Sequence, residues 1–149
     1  MSGQVHLEDV QVGDVVTPLR VSVDETQMFL FSAATYNAHR IHYDKTWARE
    51  KEGYDDVLVQ GPLQAALLAR AVTDWIGPGG RLVTFSAQNR AVAFPGQELT
   101  FSGTVTAIDA TDPAETRVEL DLAATRGGDV LMPGTAVVVL PRRGPAGAL

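Results

Sequence analysis

The hydrophobic positions of this chain change period near residue 77. Before it, apolar residues cluster at helical spacing; after it, they alternate with polar ones at period two. The segment 62–76 predicts the principal helix. Pro62 suits a first helical position, where its missing N–H costs nothing. Leu63, Ala66, Leu67, Ala71, Val72, Trp75 and Ile76 put apolar groups on nearly every face, predicting a helix buried most of the way round. Gly77-Pro78-Gly79-Gly80 then ends it. Upstream, 15–23 reads as a strand that Pro18 makes irregular or edge-bound. Asp24 predicts the N-cap of a helix carrying Met28, Phe29, Phe31 and Ala34, and Asp44 that of a short turn through Trp47 and Ala48.

Downstream, 81–94 predicts one long strand closed by the turn Pro95-Gly96-Gln97. Leu99, Phe101, Gly103, Val105 and Ala107 alternate with polar neighbours, as do Val118, Leu120, Leu122 and Ala124; 130–140 is the last strand. Asp112-Pro113 and Gly127-Gly128-Asp129 supply the hairpin turns. The expected class is α+β: a meander of long antiparallel strands wrapped around one buried helix. The tail 141–149, rich in Pro, Gly and Arg, is expected to fray.

With 149 residues, one domain spanning 1–149 suffices, and a chain of this size buries roughly 70% of its unfolded surface. A net charge of −6 argues against nucleic acid, whose phosphates demand clustered Lys and Arg. The absence of cysteine excludes disulfides, thiolate catalysis and Cys-based metal sites. The three histidines have few carboxylates beside them, a weak basis for a metal. No apolar run is long enough to span a membrane, and no basic and apolar leader opens the chain. The cytoplasm is the expected compartment.

Two stretches carry candidate chemistry. In Tyr36-Asn37-Ala38-His39-Arg40-Ile41-His42-Tyr43-Asp44, two of the three histidines lie three positions apart. Histidine is the default proton carrier near neutral pH. About twenty residues on, Val59-Gln60-Gly61-Pro62-Leu63-Gln64 opens the principal helix. The first turn of a helix offers free N–H groups and the positive end of the macrodipole, and glycine lets a ligand approach closely. A carbonyl oxygen gaining charge would be stabilised there, by the Gly61 N–H first and by Leu63 second, since Pro62 cannot donate.

Together the two stretches resemble the MaoC-like hydratase/dehydratase family of hot-dog folds, with its Asp-x-Asn-Pro-x-His signature and a glycine heading the long helix. The branch with Asn-x-His-Arg-Ile-His-Tyr-Asp, Glu-Gly-Tyr and Gly-Pro-Leu-Gln is nearer still; here these are residues 37–44, 52–54 and 61–64. That branch includes mesaconyl-CoA-type hydratases and type 2 hydroxyacyl-thioester dehydratases. The resemblance covers about 10–140 and implies reversible hydration of a 2-enoyl thioester, of coenzyme A or an acyl carrier protein, with no further cofactor. It puts His42 in the place of the catalytic His and Gly61 at the oxyanion. Asn37 stands where the signature has its acid, and Asn cannot take a proton at neutral pH.

Several roles stay open on the sequence. Asn37 positions a water or donates a hydrogen bond through its NH₂. His39 assists His42 or makes a structural hydrogen bond in the loop; an extended segment would put the two on opposite sides, a turn would let them converge. Arg40 and Arg90 bind coenzyme A phosphates or are plain surface cations. Tyr43, Tyr54, Gln60 and Leu63 complete the candidate substrate contacts, although Tyr54 also suits packing over its loop. The resemblance leaves two alternatives to the hydratase: an inactive thioester-binding subunit of a heteromer, kept open by Asn37, and a hot-dog thioesterase. The thioesterase wants a carboxylate on the central helix, where only Asp74 is found, far from Gly61. An exposed sheet edge and the apolar helix predict at least a homodimer.

Overall fold

The computed structural model describes residues 3–144. One antiparallel sheet of five strands has the order β1-β3-β4-β5-β2, with β1 Val15–Ser22, β2 Arg81–Ala87, β3 Glu98–Asp109, β4 Arg117–Arg126 and β5 Asp129–Val139. The period-two sequence after residue 97 folds as the expected meander, and β1 and β2 close the two edges. Pro18 leaves its mark on β1: the register against β3 shifts between Val16 and Leu19.

Three helices precede β2. Helix α1 (Glu25–Thr35) starts where Asp24 accepts the Gln27 N–H at 2.7 Å, and α2 (Lys45–Glu50) where Asp44 accepts that of Trp47 at 2.9 Å. Helix α3 (Gly61–Ile76) lies across the sheet. Its Leu63, Leu67, Leu68, Val72 and Ile76 meet Phe101, Leu120, Ala136 and Val138 of the strands in one core. The helix is less enclosed than its composition suggests. Pro62, Ala66, Arg70, Thr73 and Asp74 form an exposed stripe along one side. Alanine is too small to mark a buried face, so it misled the pattern.

Two further expectations are corrected. The strand read over 81–94 stops at Ala87. Its partner is β5, and the next position along, Pro133, has no N–H to continue the ladder. Gln88 still donates to the Pro133 carbonyl, after which the N–H groups of Arg90 and Ala91 share that of Leu131. The chain then turns toward α3, where Ala93 accepts from Val59. The tail holds on longer than expected. Pro141 accepts from the Leu7 N–H, Arg142 donates to Thr116 Oγ1, and Arg143 pairs with Asp9 at 2.7 Å. The remainder, 145–149, lies outside the described residues.

Candidate active site

The histidine loop begins with a local break. Tyr36 ends α1 in the left-handed region (φ 53°), and Asn37 returns its N–H to the Ser32 carbonyl at 2.9 Å. The chain then makes a single 3-10 turn, Arg40–His42. Because the segment turns, His39 and His42 converge: their ring centroids are 6.0 Å apart, edge to face at 61°. His39 caps the turn, its Nδ1 accepting the Ile41 N–H at 3.3 Å, and its ring is exposed. This is the structural hydrogen bond that the sequence left open, made without withdrawing the ring from His42.

His42 is half-buried, and its Nδ1 lies 2.8 Å from the carbonyl oxygen of Leu58. A carbonyl only accepts, so Nδ1 carries the proton, and Nε2 of the neutral ring is left with a free lone pair. Burial pushes the His42 pKa below its ordinary value, against the opposing pull of the Leu58 carbonyl; the nearby His39 pushes it further down. The result is a ring neutral at physiological pH and able to accept a proton. Leu58 also donates its N–H to Ile41 O at 2.9 Å, so two hydrogen bonds clamp the loop to the strand-like segment feeding α3. Gly61 follows three residues later, which sets the imidazole no more than about 13 Å from the helix head.

Asn37 turns its Oδ1 to the His39 N–H at 3.3 Å, leaving both Nδ2 hydrogens available. Tyr43 donates its hydroxyl to the Ala38 carbonyl at 3.2 Å. Beside this loop runs an apolar groove of about 310 Å³, lined by Phe29, Ala33, Tyr36, Asn37 and Tyr43. A larger cavity, about 650 Å³, lies near Leu19, Arg70 and Trp75. It is some 21 Å down α3 from Gly61 and has no proton carrier like His42.

Other expected contacts fall elsewhere. Gln60 is fully buried and donates to Met28 O at 2.7 Å and Ser32 Oγ at 2.9 Å, so it ties α1 to the head of α3 instead of reaching substrate. The Leu63 side chain is in the core. Arg40 is engaged on both sides, with Asp44 at 2.6 Å and the Trp47 ring at 4.2 Å, and is not a free phosphate ligand. Trp47 is half-buried beneath it, while Trp75 is buried. Tyr54 is half-buried on the loop after α2, where its N–H closes onto Ala48. Arg90 is exposed and holds Gln88 Oε1 at 3.0 Å. Among the described residues no group of three or more His, Asp or Glu converges as a metal site, and no helix is long and apolar enough to cross a membrane.

One residue at the helix head escaped the sequence reading. Gly61 is not in a left-handed conformation, so its backbone does not require glycine; the space beside it does. A Cβ there would meet Asn89 Nδ2 at 3.3 Å and Cγ at 3.4 Å. Asn89 sits in the break between Gln88 and Arg90. The three consecutive polar residues there, where a strand should alternate, were the available signal.

A sheet of this order wrapped on one long helix defines a hot-dog protein. It matches the unliganded (R)-hydratase PhaJ1 of Pseudomonas aeruginosa with a TM-score of 0.82 at 20% identity, over 94% of this chain and 88% of that one. The sequence narrows the class. The type 2 hydroxyacyl-thioester dehydratase family matches residues 8–95, and the chain belongs to that family. Mesaconyl-C(4)-CoA hydratase of Chloroflexus aurantiacus is 51% identical over 57 residues, 38% of this chain; the match covers only 20% of that protein's length. The β subunit of 3-oxo-4,17-pregnadiene-20-carboxyl-CoA hydratase of Mycobacterium tuberculosis is 30% identical over 98 residues, 66% of this chain and 75% of that subunit.

Proposed function

We propose that this protein catalyses the reversible addition of water to a 2-enoyl thioester, of coenzyme A in preference to a carrier protein. The observation that carries the proposal is His42, held by Leu58 as a neutral ring with a free Nε2, on a loop clamped to the segment that heads α3. In hydration, Nε2 takes one proton from water as the water oxygen bonds to the β-carbon. The double-bond electrons move toward the thioester carbonyl, whose oxygen gains charge facing the Gly61 N–H. The imidazolium then gives its proton to the α-carbon as the carbonyl reforms. One water is added, and no electron acceptor or further cofactor enters the balance.

In this reading the free Nδ2 hydrogens of Asn37 orient that water or hold the acyl group, and the apolar groove that Asn37 lines takes an acyl chain. A homodimer or larger assembly follows from the edges of β1 and β2, each paired on one side only. Light scattering at micromolar concentration should give at least twice the chain mass of 15.9 kDa; a monomer counts against it.

A panel of 2-enoyl-CoA thioesters, followed at the enoyl absorbance and in parallel for free thiol, tests the activity. Loss of enoyl absorbance without thiol release is expected. Thiol release instead would indicate a thioesterase, which has little support because Asp74, the acid on α3, is exposed at the far end beside Arg70. A second reading, the inactive subunit of a heteromer, is favoured by Asn37 in place of an acid. It predicts binding of the thioester with no turnover.

A further inference from the structure

We propose that Asn89 is a second donor to the thioester carbonyl oxygen, acting with the Gly61 N–H; this rests on the hydratase reading above. The head of α3 offers few donors of its own. Pro62 has no N–H, and the Gln64 N–H is taken by the Gln60 carbonyl. Gly61 and, second to it, Leu63 leave backbone N–H groups, but an oxygen that gains most of a charge is held by converging donors, and the helix itself brings no side-chain donor to its head.

Asn89 supplies the missing one. Its Nδ2 lies 3.3 Å from the Cβ position of Gly61, and Gly61 N is about 2.5 Å from that same point by standard backbone geometry. The two nitrogens are therefore within about 6 Å of each other, the span across which two donors can each reach one oxygen at about 2.9 Å. Among the described residues the Asn89 amide has no hydrogen-bond partner, and the side chain is exposed, so its NH₂ group is open to a ligand. Its neighbours do have partners: Arg90 closes onto Gln88, which frames the amide between them.

The architecture behind this placement is specific. Pro133 stops the β2–β5 ladder, and the irregular segment 88–91 carries Asn89 back over the helix head. Glycine at 61 then reads as an accommodation of that amide and of the oxygen it would share. The donor must be the NH₂ group, which gives the inference a sign: an isosteric carboxylate would repel the charge that the amide stabilises.

The experiment measures kcat and KM for Asn89→Ala, Asn89→Asp and His42→Ala on a series of trans-2-enoyl-CoA thioesters beginning with crotonyl-CoA, with thermal unfolding of each. Asn89→Ala should lower kcat by roughly 10²-fold, the loss of one oxyanion donor, with KM and melting temperature little changed. Asn89→Asp should fall further than Asn89→Ala. If His42→Ala is inactive but Asn89→Ala turns over at the wild-type rate, the inference fails and the hydratase reading stands. An Asn89→Asp variant as active as Asn89→Ala also overturns the donor role. If the wild-type protein hydrates none of the series, the hydratase reading fails and takes the inference with it.

Discussion

His42 Nδ1 and the Leu58 carbonyl oxygen lie 2.8 Å apart, and this contact sets the state of the imidazole. The bond selects one tautomer, fixes the ring against the segment that heads α3, and leaves the Nε2 lone pair free. Replacing the ring removes all three effects. His42→Ala should reduce hydration by roughly 10²–10⁴-fold. The buried Leu58 carbonyl loses a partner, at a cost of about 1–3 kcal/mol, which the fold survives. Steady-state kinetics with a calorimetric scan measure both, and near-wild-type turnover would take His42 out of the mechanism.

The lowered pKa of His42 has a consequence for pH. As a base in hydration it must be neutral, so the acid limb of kcat/KM should lie below 6.5, the ordinary histidine value. Burial is the main cause and His39 a smaller one. His39→Gln should therefore move the limb upward, toward that value. A limb that stays put in His39→Gln means the two rings do not interact. The same shift bears on stability. The unfolded chain binds the proton more readily, so the contribution of neutral His42 is present above pH 6.5 and is lost as the pH falls through the window beneath it.

Asn37 makes a sharper test. Its Oδ1 already accepts the His39 N–H, a bond that Asn37→Asp would keep, while the substitution deletes the two Nδ2 donors. Activity should fall if those donors hold water or substrate. The added charge beside His42 favours the imidazolium, so the acid limb should also move up. An Asp variant with undiminished kcat and an alkaline-shifted profile would sink the donor role.

Gly61→Ala separates space from backbone. With Gly61 outside the left-handed region, alanine is tolerated by the backbone and suits a helix, so the melting temperature should hold or rise slightly. Its Cβ, at 3.3 Å from Asn89 Nδ2, would force that amide aside and crowd the oxygen site, lowering kcat. Loss of stability without loss of rate would show that the glycine serves packing alone.

Much of the fold was legible because its signals are local. Asp24 and Asp44 cap helices through their own side chains, Pro18 disturbs its own strand, and the period-two run after residue 97 became the meander. Family membership was equally plain, carried by residues 37–44, 52–54 and 61–64, and by position it marked His42, Asn37 and Gly61. Most of the misreadings turned on pairings that one segment's letters do not announce, several of them with partners distant in sequence. Nothing near Ala87 announces Pro133, the residue that ends its strand, nor does Gln60 reveal that it is buried between Met28 and Ser32. Arg40 reads as a free cation until Asp44 and Trp47 are folded against it. Local propensity and hydrophobic period are properties of a segment and can be read from its letters. The His42 tautomer, the engagement of Arg40 and the approach of Asn89 to Gly61 are properties of pairs, and the folded path of the backbone decides which pairs meet.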